Sequence, residues 1–131
     1  MSELGDAFDS ESFVPLLERM RDILLKHDYI DQATLVDNLI DLAHLESSDF
    51  PEKLGGGDMW GSSGSVADVV DLQSSFDPVD AERDSIELTE SLVRLADRMK
   101  AQGISSERVE FLADAFRRGL ETRHSRSDPW D

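Results

Sequence analysis

Residues Leu54–Leu72 read LGGGDMWGSSGSVADVVDL, and this stretch divides the chain. It holds five of the eight glycines, one of the two tryptophans and a short valine-rich run bounded by aspartates. Ordering glycine costs more backbone entropy than ordering any other residue, so a cluster of them marks an irregular segment with a structural purpose. Amphipathic segments lie on both sides. The organisation that follows is all-α: two helical hairpins separated by a glycine-rich insert over residues 54–72, within one domain spanning 12–121.

Upstream, Phe13, Leu16, Leu17, Met20, Ile23, Leu24 and His27 recur at three- and four-residue spacing, which predicts a first helix from Ser12 to about Lys26–Asp28. Pro15 is tolerated there because the first helical turn has no intrahelical N–H bond to lose. Tyr29 and Ile30 form the joint, and Asp31 is placed to cap a second helix. That helix presents Ala33, Leu35, Val36, Leu39, Ile40, Leu42 and Ala43 as a wide apolar stripe, and ends at Ser47–Asp49. A joint this short requires an antiparallel hairpin. A turn at Phe50–Leu54, with Asp49 as cap and Pro51 at its first position, leads into the insert.

Downstream, Ser65–Leu72 fits either an extended segment or one to two helical turns. Gln73–Phe76 reads as a linker. Asp77 before Pro78 is a helix start with a mechanism, a carboxylate to accept the free N–H groups and a ring that presets φ. The third helix carries Leu88, Leu92, Leu95 and Met99 and stops at Gly103. Ser105 or Ser106 caps a fourth, with Val109, Leu112, Ala113, Phe116, Gly119 and Leu120 on its inner face. Residues 1–11 read as a mobile acidic arm and 122–131 as a flexible tail.

Acids outnumber bases 29 to 13, a formal net charge of -16. Such a field repels nucleic acid and anionic membranes and attracts basic partners. The absence of cysteine excludes disulfides, thiolate catalysis and cysteine-ligated zinc. The N-terminus has no signal-peptide pattern and no run is long enough to span a bilayer, so a cytoplasmic protein is expected.

Catalytic signatures are missing. The three histidines, His27, His44 and His124, show neither i, i+4 spacing nor a His-Glu-x-x-His pattern. Asp41 and His44 stand i, i+3 apart, which fits a solvated polar face better than a metal site lacking a third ligand. The glycine stretch has no lysine after its last glycine and no preceding strand, and Asp58, Asp68 and Asp71 make it negative, so it does not read as a phosphate loop. No cofactor, metal or catalytic residue is expected, and the chain is read as a non-enzyme.

From Asp49 to Glu90 there are eleven acids against Lys53 and Arg83, with Met59 and Trp60 among them. Trp60 either plugs the gap between the hairpins or anchors an interface ringed by acids. On the second reading Asp58, Met59, Trp60, Asp68, Asp71, Asp80 and Asp84 would bind a basic protein partner.

Gly64-Ser65-Val66-Ala67-Asp68-Val69-Val70 resembles a segment in a family of small uncharacterised bacterial helical proteins. There, two helices precede a glycine-rich turn followed by apolar-x-Asp-apolar-apolar and further helices; Ser62-Ser63 departs from that compact turn. The resemblance implies a helical fold. In size, acidity and lack of cysteine the chain is also similar in type to immunity proteins, which neutralise a cognate bacterial toxin, so a basic toxin is the most concrete partner. A homodimeric structural or regulatory protein is the alternative.

Overall fold

A computed structural model describes residues 9–61, 64–70, 72, 77–104 and 106–126, all helix, turn or loop with no strand among them. Four long helices dominate: α1 (Val14–Lys26), α2 (Ile30–His44), α5 (Pro78–Ala101) and α6 (Glu107–Arg126). Two short ones, α3 (Asp49–Leu54) and α4 (Gly57–Trp60), lie between the hairpins, and 3-10 turns occupy Ser10–Phe13 and Ala67–Val69. α1 packs against α2 and α5 against α6, and α1 also contacts α5, which joins the two hairpins into one core.

The ends of the helices are set by local chemistry. Asp77 caps α5 as its sequence requires, its Oδ1 accepting the Asp80 N–H at 3.0 Å, with Pro78 in the first helical position. At the other end Gly103 has φ +82, the Gly103 N–H reaches Lys100 O at 3.1 Å and the Ile104 N–H reaches Met99 O at 2.9 Å. This paired closure is the Schellman motif. α1 and α2 close the same way, although their left-handed residues are Asp28 (φ 71) and Glu46 (φ 51) rather than glycine.

Several boundaries differ from expectation. Asp31 lies inside α2, and Tyr29 occupies the cap position, where its side chain does not cap the helix. Its carboxylate still favours the positive end of the helix dipole. α3 begins at Asp49, with Ser48 as cap and Pro51 two residues inside. The acidic arm is docked by its last residues: the Ser10 hydroxyl donates to Ala43 O at 2.9 Å, and the Asp9 N–H donates to Gln102 Oε1 at 2.8 Å. The fourth helix runs to Arg126 rather than ending at 121. Residues 1–8, 127–131 and the whole of the expected linker at 73–76 lie outside the described residues.

The insert belongs to the core. Phe50, Leu54, Met59, Trp60 and Val66 are all wholly buried, and Phe13 meets Phe50 edge-on with ring centroids 5.7 Å apart. α3 contacts α2, while α4 contacts α6, so the insert spans both hairpins. The Trp60 indole N–H donates to Leu54 O at 2.9 Å, satisfying a carbonyl at the end of α3. Gly61 is required sterically: a Cβ there would lie 2.3 Å from Gly57 O.

Of the two readings of Ser65–Leu72, the helical one describes Ala67–Val69. Gly64 adopts φ +88, its N–H donates to Asp68 Oδ2 at 3.1 Å, and Ser65 Oγ accepts the Asp68 N–H at 3.1 Å. This reciprocal pairing is the capping-box logic applied to a single turn. Gln32 Nε2 donates to Gly64 O at 3.0 Å, and the Leu72 N–H donates to the buried Ser85 hydroxyl at 2.9 Å, tying the segment to α2 and α5.

Candidate functional site

Of the residues expected to form a partner-binding surface, Met59, Trp60 and Asp84 are buried. Met59 and Trp60 have no solvent exposure, so neither side chain is offered to a partner. The large apolar area of both is used to join the hairpins, which overrides the attraction of an aromatic amid acids as an interface anchor. Asp58 and Asp68 are exposed, Asp80 is half-buried and Asp84 is buried. Asp71 lies outside the described residues.

Asp80 and Asp84 sit one turn apart on α5 and face the end of α1. The Lys26 ammonium lies 2.9 Å from a carboxylate oxygen of each. His27 Nε2 is 2.8 Å from Asp84 Oδ2, and both side chains are only 5% exposed. Arg83 pairs with Asp80 from the same helix, and Arg19 clamps Glu87 one turn further along, its second contact measuring 2.6 Å. Burial pushes the Asp84 carboxyl up, but hydrogen bonds from His27 and Lys26 outweigh it and hold the group below the usual range. Lys26 likewise holds Asp80 down, and Arg19 holds Glu87 down.

His27, Asp80 and Asp84 bring three potential metal-ligand atoms within 4.8 Å of one another. Lys26 already supplies the positive charge between the two carboxylates, and Asp84 already satisfies the imidazole. A divalent ion would have to displace the ammonium and break the His27–Asp84 contact. The cluster is therefore a closed ionic joint between α1 and α5, in which each buried charge has a partner. The other histidine contact is also paired: His44 Nδ1 is 3.0 Å from Glu11 Oε2, and that carboxylate raises the imidazole pKa. Asp41, one turn from His44 on the polar face of α2, is exposed and has no ion pair among the described residues.

A different surface emerges along α2, α3 and α4. Residues 31–58 contain seven acids and one lysine, Lys53. All seven, Asp31, Asp37, Asp41, Glu46, Asp49, Glu52 and Asp58, are exposed. Only Asp37 forms an ion pair among the described residues, with Arg21 at 2.9 Å. The chain's other described ion pairs join acids of the remaining segments, so among the described residues these six exposed carboxylates have no ion pair.

Between α2 and the α3–α4 pair runs a groove of about 190 Å³, lined by Leu35, Asn38, Leu39, Leu42, Lys53 and Asp58. Leu39 is 2% exposed and forms its floor, while Leu35 and Leu42 are half-buried along its length. Leu45, 76% exposed, prolongs the apolar row at the end of α2. On the opposite flank of α2 a second groove, about 290 Å³, is crossed by the Arg21–Asp37 pair. The first groove was partly legible in sequence. The apolar stripe of α2 is wider than one packed neighbour can cover, which leaves its edge, Leu35 and Leu42, unfinished.

No protein family, no curated protein and no solved structure matches the chain. Among the described residues, no helix is long and apolar enough to cross a membrane.

Proposed function

We propose that the protein is a non-enzymatic acidic binding domain that takes a basic protein partner, and that its binding face is the surface of α2, α3 and α4. The observation that carries this reading is the row of six exposed carboxylates that have no ion pair among the described residues, set beside an apolar groove. Unpaired surface charge of one sign steers and orients an oppositely charged partner, while apolar surface within it supplies contact that survives screening. Stoichiometric neutralisation of a basic toxin, as in immunity proteins, is the most concrete form of such binding. The His27–Asp84 pair does not favour an enzyme, because both groups are closed off from solvent.

The test compares two variants of equal charge. In one, Asp31, Asp41, Glu52 and Asp58 become Asn or Gln; in the other, the exposed Glu18, Glu82, Glu107 and Glu121 become Gln. Binding to polylysine and to small basic proteins is measured at low salt. The first variant is expected to lose about tenfold in affinity, roughly 1.4 kcal/mol, and the second much less. Equal losses from both would remove α2–α4 as the binding face.

A second reading, a homodimer paired through α6, is favoured by one observation. Of the described α6 side chains only Val109 and Ala113 are buried, and Phe111 is 68% exposed. Light scattering at two concentrations separates the two, since a mass that stays at 14.7 kDa eliminates the dimer.

A further inference from the structure

We infer that the groove between α2 and the α3–α4 pair is the seat of a basic amphipathic α-helix contributed by the partner. This inference rests on the basic-partner reading and adds the form that the partner presents.

Three features of the groove specify its occupant. Its floor is a helical row, with Leu35, Leu39 and Leu42 at i, i+4 and i+7 of α2 and Leu45 beyond them. Such rows form the ridges and grooves into which another helix packs, and helix-in-groove recognition uses apolar anchors at the same spacing. An extended strand would instead need an open sheet edge to pair with, and the described residues contain no strand. The rim then fixes the charge. Asp58 lines the groove, and Asp31 and Asp41 stand one turn from Leu35 and Asn38 on α2, whereas Lys53 is the single base in the lining. The occupant is accordingly a helix with leucine-sized residues on one stripe and lysine or arginine flanking it, its apolar side on Leu35, Leu39 and Leu42 and its cations toward Asp31, Asp41 and Asp58.

The experiment uses the full chain and two synthetic peptides of identical composition, built from leucine, lysine and alanine. One places its leucines at helical spacing; the other scrambles them so that no stripe exists. Affinities are measured by calorimetry in 150 mM salt, and the bound site is mapped by amide chemical shifts. Two single substitutions each raise the net charge by one: Asn38→Arg, which places a cation at an exposed position inside the groove, and Glu121→Gln, which removes an anion on α6.

The striped peptide is expected to bind about tenfold tighter than its scrambled isomer. It should perturb amides of residues 35–45 and 53–58, and lose about tenfold with Asn38→Arg while changing less than about twofold with Glu121→Gln. Equal affinity for the two peptides, or equal effects of the two substitutions, would overturn the groove and leave charge attraction standing. Failure of both peptides to bind even at low salt would remove the groove and the basic-partner reading together.

Discussion

Truncating Trp60 to alanine removes the largest wholly buried side chain of the core and the donor to Leu54 O. Cutting a buried aromatic to alanine costs about 3–5 kcal/mol, because the surroundings relax only partly into the space left. The carbonyl at the end of α3 then loses its donor, adding about 1 kcal/mol. The expected loss is about 4–6 kcal/mol, comparable with the whole stability of a domain of this size, about 5–15 kcal/mol. Trp60→Phe keeps most of the apolar ring but not the N–H, and should cost about 2 kcal/mol. Urea unfolding followed by far-ultraviolet circular dichroism reads all three proteins. Trp60→Ala should unfold at a much lower urea concentration than the parent, with Trp60→Phe intermediate. A Trp60→Ala protein within about 1 kcal/mol of the parent would mean that the indole is not a core group and that the insert does not join the hairpins.

Two further perturbations test other parts of the fold. Gly119 lies exposed within α6, with nothing within 4 Å of where a Cβ would stand, so Gly119→Ala should stabilise by about 0.5–1 kcal/mol, seen as a higher thermal midpoint; a lower midpoint would mean that α6 is not helical there. At Asp84 the folded-state pKa is depressed, so its stabilisation is complete above the unfolded value, about 4, and lost as pH falls through the folded one. Asp84→Asn should therefore cost about 1–3 kcal/mol at pH 7, and that cost should shrink below about pH 4. A cost independent of pH would contradict the ionic joint.

What the sequence disclosed and what it withheld divide along the range of the interactions. The start of α5 was legible because Asp77, Pro78 and the N–H of Asp80 lie within four residues, and its end because Gly103 is the residue that a left-handed turn favours. The closures of α1 and α2 were less legible, since Asp28 and Glu46 sit at left-handed positions where propensity argues for glycine. There the hairpin geometry prevails over local preference. Trp60 could be read as plug or anchor from sequence, and only the packing of α4 between α3 and α6 decides it. Part of the expected surface patch is hidden for the same reason. Asp80 and Asp84 are matched by Lys26 and His27, more than fifty residues away, a pairing that no local count of acids can reveal.

That long-range pairing also explains where the charge of the protein resides. Arg19, Lys26 and Arg83 are committed to carboxylates of α5, and Arg21 to Asp22 and Asp37. Lys100 and Arg117 serve Asp97, Glu110 and Asp114. None of these bases reaches an acid of α3 or α4. Among the described residues, ion pairing thus engages acids of α5 and α6 and leaves six carboxylates of residues 31–58 without an ion pair, a local excess of negative charge beside the groove. At physiological salt the Debye length is about 8 Å, so distant charges contribute little and the local excess decides what is attracted. An apolar groove inside that excess gains a directed electrostatic approach and a contact that salt does not screen. Salt should accordingly slow association more than it speeds dissociation, because the carboxylates act at a distance and the leucines act only on contact.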